Sequence, residues 1–375
     1  MLPGPTTVSP AVLREMAKPI IGHRSKENSL LIADTKEKAK KVFQTKNDML
    51  IITASSTGGV ESSITNVVKK GDNVVVTDFG EFGSRVAHQV ESSGGNVISI
   101  KAPLGEVPSL DETKQAFENH EEIKAVYVVY NETSTGVTFR WLSELGKLAK
   151  DKGAFYIIDA VSILGGDELN VDNLGVDICV TGSQKCLAAP PGLSLLSLSE
   201  RIKDYMVKNP IDHHYFNIPR YLKYSATDET PFTPAVSLFY ALDKALSLIL
   251  EEGLENRINR HRICANALYQ GFDSLGIERF VKSDSRSNTV LTFQYPDQVQ
   301  DIKFRQQLDE KYDVIVAGCF GELKGKLFRI GCMGEINRKH VLTTVNSVGL
   351  LFREFGIEVN LEKAISDSFN ELKFL

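Results

Sequence analysis

Phe155-Tyr156-Ile157-Ile158-Asp159 and Ile178-Cys179-Val180-Thr181-Gly182-Ser183-Gln184-Lys185 decide how this chain folds. Each is a short, nearly continuous apolar run with a charged residue at its end or just beyond it, and neither alternates polar with apolar. Such runs read as strands buried on both faces, which occur in parallel sheets flanked by helices. Working outward, the same texture returns in Asn73-Val74-Val75-Val76-Thr77, in Asn96-Val97-Ile98-Ser99-Ile100 and in Ala125-Val126-Tyr127-Val128-Val129-Tyr130. Segments of helical spacing fill the intervals, at about 60–70, 81–93, 109–120 and 140–152. The pattern predicts α/β architecture with a mostly parallel sheet covered on both sides.

Beyond about residue 200 the texture changes. A helix is expected from Ala235 to Glu252, with Leu238, Leu242, Ala245, Leu246 and Ile249 on one stripe and Gly253 as its stop. A second follows from Leu254 to Leu275. Strands over Thr289–Phe293, Val314–Ala317 and Leu327–Ile330 then alternate with helices at about 301–312 and 338–355. This predicts a smaller α+β domain over 256–375, a large domain over 21–255 and an N-terminal segment, 1–20. The sequence shows no internal repeat, low-complexity tract or Gly/Ser linker.

Composition removes several classes of function. The 375 residues are 42% hydrophobic and 24% charged, as in ordinary globular proteins. Lys and Arg number 43 against 48 Asp and Glu, a net charge of −5, so no basic field exists to hold nucleic acid. Five cysteines (Cys179, Cys186, Cys264, Cys319 and Cys332) are odd in number and form no CxxC pair. They read as reduced, buried thiols rather than a disulfide or zinc framework. The seven histidines include no HxxxH or HxH spacing, so no metal is expected. No apolar stretch approaches the ~18 residues that span a bilayer, and Met1-Leu2-Pro3-Gly4-Pro5 carries no signal-peptide pattern. Lys373-Phe374-Leu375 departs from a peroxisomal Ser-Lys-Leu address, so the expectation is a cytoplasmic protein with no membrane partner.

Chemistry concentrates at the strand ends. Lys185 follows a buried strand and precedes Pro190-Pro191-Gly192, in the position where α/β sheets place active-site groups. A desolvated lysine there can form a Schiff base with a carbonyl; alone, it reads more simply as a solvated loop residue. Asp159 ends an apolar strand, where an ionised carboxylate needs a partner. A protonated pyridine nitrogen would supply one, and a helix cap or structural acid is the plainer alternative. Ala54-Ser55-Ser56-Thr57-Gly58-Gly59 leads into a helical segment and offers hydroxyls and free amides to an anion, or is simply a capped helix. It lacks the lysine of a P-loop and the spacing of GxGxxG. Phe82 lies between glycines past a strand and could cover a planar ring or pack in a core. Arg329, in Phe328-Arg329-Ile330-Gly331, could clamp a carboxylate or form an edge-strand salt bridge.

Together, and in this order, these motifs resemble one family. With Pro3-Gly4-Pro5-Thr6, Gly22-His23-Arg24-Ser25, Glu132-Thr133-Ser134-Thr135-Gly136 and Thr233-Pro234, nearly the whole chain is similar to the class V, fold-type I aminotransferases. The similarity is greatest to those acting on alanine and glyoxylate or on serine and pyruvate. The resemblance implies a pyridoxal phosphate cofactor with Lys185 as the Schiff-base lysine and Asp159 on the pyridine nitrogen. It further implies Gln184, Thr57 and Ser56 on the phosphate, Phe82 stacked on the ring, Thr133 at the ring hydroxyl and Arg329 on the substrate α-carboxylate. Relatives often carry Gly at the Ser56 position and Tyr at the Thr230 position. Thr233 would reach the phosphate of a partner subunit in a homodimer. The implied activity is ping-pong transamination from alanine or serine to glyoxylate or pyruvate. The alternatives are a cysteine desulfurase, for which Cys319 and Cys332 fall in the right region but in the wrong surroundings, and a non-catalytic binding protein, against which Lys185 argues.

Overall fold

The computed structural model describes residues 1–282 and 284–375. Ser9 and Ser25 start the first two helices, α1 (Pro10–Glu15) and α2 (Lys26–Phe43), each side chain accepting the amide three residues on. Strands and helices then alternate through β1 (Asp48–Thr53), α3 (Ser56–Thr65), β2 (Asn73–Asp78), α4 (Glu81–Ser92), β3 (Asn96–Lys101), α5 (Leu110–Glu118) and β4 (Ala125–Val129). A small hairpin, β5 (Asn131–Glu132) and β6 (Val137–Thr138), leads to α6 (Leu142–Asp151), β7 (Phe155–Asp159), β8 (Ile178–Gly182) and β9 (Leu193–Leu198). Helices α7 (Glu200–Lys208) and α8 (Ile218–Ser225) precede the long α9 (Val236–Glu252) and α10 (Leu254–Ser274). The chain closes with β10 (Val290–Gln294), α11 (Asp301–Tyr312), β11 (Ala317–Gly318), β12 (Leu327–Gly331), α12 (Arg338–Glu354) and α13 (Leu361–Glu371).

Seven strands form the main sheet in the order β1-β9-β8-β7-β4-β2-β3. Only β9 runs against the rest, pairing antiparallel with β1 and β8, so the sheet is mostly parallel as its apolar runs predict. Every residue of β4, β7 and β8 is buried, and successive side chains serve two different cores. Val126, Val128, Tyr156, Ile158 and Cys179 meet Ile32 and Phe43 of α2, Leu145 of α6 and Leu242 of α9. Ala125, Tyr127, Val129, Ile157 and Val180 meet Ile64 of α3, Val90 of α4 and Ile202 of α7. This period-2 division lets a continuous apolar run cover two layers of helix. A third core gathers Leu268, Phe293, Phe304, Phe328 and Phe352 from the C-terminal elements, with the Phe272 and Phe293 rings stacked 4.3 Å apart.

Two boundaries depart from expectation in informative ways. Helix α3 begins at Ser56, not near residue 60, because the Ser55 side chain accepts the amide of Gly58 and starts the helix early. Ser56 and Thr57 therefore lie in its first turn. The strand expected over Val314–Ala317 is only Ala317–Gly318, paired with Arg329 and Phe328. The next amide along that edge, Gly331, donates to the carbonyl of Met1, so the N-terminal residues take the place that the 314–316 segment would otherwise fill.

Candidate active site

The parallel strands share a direction, so the segments that leave their C-terminal ends emerge together. Asp159 is the last residue of β7, Lys185 lies just past β8, Thr133 follows the β4–β5 segment, Phe82 opens α4 after β2, and Ser56 and Thr57 open α3 after β1. With Gln184 they line one cavity of about 190 Å³.

Lys185 is held from above by the N-terminal segment. Its Nζ donates to the Pro3 carbonyl at 2.5 Å. Gly4 has φ +99°, and a Cβ there would lie 2.5 Å from both Cδ and Nζ of Lys185. Only glycine combines that dihedral with so close an approach. Thr6 completes the strap, its amide donating to Gln184 O at 3.0 Å and its hydroxyl to Lys185 O at 3.2 Å. Burial pulls the Lys185 amine down to about 8, and the Arg329 charge pushes in the same direction. Asp159, at the opposite wall, is pushed up to about 6, chiefly by burial and further by the charge of Glu132; a 2.9 Å bond from the Val161 amide opposes the rise.

The end of the cavity near α3 suits an anion. Ser55 takes only the Gly58 amide, leaving the first-turn amides of Ser56 and Thr57 without intrahelical partners at the positive end of the helix dipole. Gln184 Nε2 donates to Ser56 Oγ at 2.7 Å. A Cβ on Gly182 would fall 1.8 Å from that same oxygen, so a glycine on β8 makes the room that Ser56 needs. Among the described residues, Gln184 Oε1 and Gln89 Oε1 are buried acceptors with no protein partner, and both residues line the cavity. Buried orphans of this kind are costly and mark a wall built to face something else.

A family model described as "Aminotransferase class-V" matches residues 11–322. The chain belongs to the class V aminotransferases. An uncharacterized aminotransferase of Methanocaldococcus jannaschii is 46% identical over 96% of this chain and 94% of its own length. The alanine–glyoxylate aminotransferase of Drosophila melanogaster is 32% identical over 97% of this chain and 95% of its own. The crystal structure of the ureidoglycine–glyoxylate aminotransferase of Bacillus subtilis superposes with a TM-score of 0.94 at 29% identity, covering all of this chain and 97% of that one. The aminotransferase is therefore a pyridoxal phosphate enzyme of fold type I. Its cavity fits that cofactor: a depressed lysine for an aldehyde, a buried acid for a ring nitrogen and a helix start for a phosphate.

Two residues singled out in the sequence stand apart from the cavity wall. Arg329, on β12, is 5% exposed and donates through Nη1 to Thr133 O at 2.9 Å and through Nε and Nη2 to Gly318 O at 2.9 and 2.7 Å. It thus borders the cavity through Thr133, with its guanidinium 4.6 Å from the centre of the Phe320 ring. Thr233 is exposed on the loop before α9 and lines no part of the cavity. Several residues with evident roles were not identified from sequence. Ser162 Oγ accepts from Thr133 Oγ1 and from Asn131 Nδ2, both at 2.8 Å, and so fixes the Thr133 rotamer. Arg257, 1% exposed, donates to the carbonyl of Cys186 at 2.9 Å and steadies the loop behind Lys185. The flanking prolines of Gly4 were the available signal for the strap. Among the described residues, no helix is long and apolar enough to cross a membrane, and no cluster of His, Cys, Asp and Glu could hold a metal.

Proposed function

We propose that this aminotransferase moves the amino group of alanine or serine to glyoxylate or pyruvate, in two half-reactions at one site. The observation that carries the reading is the strap over Lys185. The Pro3 carbonyl lies 2.5 Å from Lys185 Nζ and a Cβ on Gly4 would lie equally near, which leaves space at that tip for small substituents only. The two relatives named for glyoxylate support the acceptor.

Pyridoxal phosphate supplies an aldehyde that receives the amino group and a ring that accepts the electron pair released at the substrate Cα. Lys185 holds the aldehyde end between turnovers, and its amine, depressed to about 8, moves the proton of the substrate Cα. Asp159 pairs with the ring nitrogen, which restores a partner to its buried carboxyl. Ser56, Thr57 and Gln184 hold the phosphate, Phe82 covers the ring and Thr133 faces its hydroxyl. Arg329 binds the α-carboxylate of both substrates and fixes the Cα–H bond across the ring, an orientation effect rather than one of raw affinity. Thr233 belongs to the neighbouring site of a homodimer, which explains its exposure in the single chain, and the dimer works in the cytoplasm. A desulfurase reading is disfavoured because burial pushes the Cys319 thiol up to about 11, which leaves little thiolate for attack on sulfur.

The test is the visible spectrum of the purified protein during successive additions of alanine, serine, glyoxylate and pyruvate, with the products identified by chromatography. The expected result is a band near ~410 nm that falls with either amino acid and returns with either oxo acid. A band that responds to neither alanine nor serine overturns the substrate assignment.

A further inference from the structure

Glu132, the second residue of β5, is the most deeply buried acid near the cavity, with no exposed surface. A carboxylate so placed is expensive unless strong donors surround it. Four do. Phe82 N and Gly83 N each donate to Oε2 at 3.0 Å, and Ser134 N and Ser134 Oγ donate to Oε1 at 3.0 and 2.5 Å. Helix α4 has no side-chain cap of its own, because Gly80 occupies its N-cap position. A carboxylate from a different element therefore caps it, at the end where the dipole favours negative charge. Gly80 is required for this: a Cβ there would lie 2.4 Å from Glu132 Cγ and 2.5 Å from Cδ.

The groups tied together in this way are those the proposed function uses. Phe82 gives its amide to Glu132 and its ring to the cavity wall. Ser134 also accepts from Glu81 N at 3.1 Å, so the β5 turn and the α4 start are joined twice. Between Glu132 and Ser134 lies Thr133, whose hydroxyl bonds Ser162 and whose carbonyl receives Arg329 Nη1. We propose that Glu132 is a positioning residue for the cofactor site, one carboxylate that sets the Phe82 ring against the cavity and holds Thr133 in place for both the cofactor and Arg329. The inference rests on the roles proposed above for Phe82 and Thr133.

A double-mutant cycle tests it, with pyridoxal phosphate affinity measured by equilibrium dialysis of the full chain and the induced circular dichroism of the bound cofactor as a second readout. Glu132→Gln keeps the shape but sets an NH₂ against at least one of the four donors. It is expected to weaken affinity about tenfold, or ~1.4 kcal/mol, and to diminish the dichroic band at saturating cofactor. In a Phe82→Ala background the same change should cost markedly less, because the ring to be positioned is gone. If Glu132→Gln does not fold, Ser134→Ala removes one donor and keeps the charge; it should weaken affinity by about threefold, again less in the Phe82→Ala background. Unchanged affinity and dichroism, or losses that simply multiply with Phe82→Ala, overturn the proposal. An unaffected Phe82→Ala protein would instead refute the ring-stacking role, and the inference with it.

Discussion

Replacing Asp159 with Asn should stabilise the cofactor-free aminotransferase at neutral pH, although it removes the carboxyl proposed to pair with the cofactor ring. The carboxyl sits near 6 in the folded chain against an ordinary value of 3.8, because burial and the Glu132 charge penalise its ionised form by more than the Val161 amide and the Lys185 charge return. That gap, at about 1.36 kcal/mol for each tenfold step in proton affinity, amounts to about 3 kcal/mol. The sign follows from the direction of the displacement. A carboxyl whose folded pKa is raised favours the fold while protonated in both states, below about 4, and loses that contribution as pH climbs to about 6. Above that the ionised form burdens the folded state, and Asn escapes the burden. Unfolding entropy of about 2.1 cal/mol/K per residue over 375 residues converts about 3 kcal/mol into about 4 °C at the melting midpoint. The assay is thermal melting of wild type and Asp159→Asn, both stripped of cofactor, at pH 8, 6 and 5. The Asn protein should melt about 4 °C higher at pH 8, with the gain roughly halved at pH 5. Comparing the two proteins across pH cancels any fixed cost of the new NH₂ group. A difference in midpoint that does not vary with pH would refute the account of Asp159 as a buried acid whose charge is under-compensated.

The remaining expectations concern the lysine and its neighbours. Labelling of Lys185 by an amine-directed reagent in cofactor-free protein, followed by peptide mass spectrometry, should rise with a midpoint near pH 8, where exposed lysines titrate about two units higher. Arg329→Leu should move that midpoint upward, since its charge helps to depress the amine; a stationary midpoint would mean that the two groups do not sense one another. Arg329→Ala should raise KM for the amino acid and the oxo acid by about a hundredfold while the cofactor band persists, in line with the loss of a charge-assisted carboxylate contact. Gly4→Ala should impair cofactor loading and turnover by tenfold or more, because its Cβ falls 2.5 Å from Lys185 Nζ in a backbone conformation that alanine adopts poorly. Normal loading of Gly4→Ala would show that the strap yields at little cost.

What could be read from sequence, and what could not, divides along the kind of group that carries the information. The sheet was legible because β4, β7 and β8 are buried on both faces, and a strand in that position has no polar residues to spare. Lys185 and Asp159 were legible for the complementary reason: a charge at the end of such a strand violates the pattern and calls for a purpose. Strand β9, the antiparallel member, is less legible, because Leu193-Ser194-Leu195-Leu196-Ser197-Leu198 directly follows the Pro-Pro-Gly stretch. The 314–316 segment carries the apolar residues of a strand yet forms none. A backbone amide 15 residues further along the chain, that of Gly331, is occupied by the carbonyl of Met1, and no local reading contains that competitor.

The same division explains the site. Ser56 stands where the resemblance leads one to expect glycine, and its hydroxyl fits because Gly182 on β8 has no Cβ to meet it. That contact lies between residues 126 positions apart, so no local reading of the sequence contains it. Glu132 and the Pro3–Gly4 strap lie in motifs whose roles are hidden for a related reason: one works on the amides of Phe82 and Gly83, the other through a carbonyl and the absence of a Cβ. Every residue carries a backbone carbonyl and every residue but proline an amide, so the use of those groups leaves little trace in residue identity. The side chains proposed for the chemistry are therefore marked in the sequence by their type and place, whereas the backbone contacts that aim them require the fold.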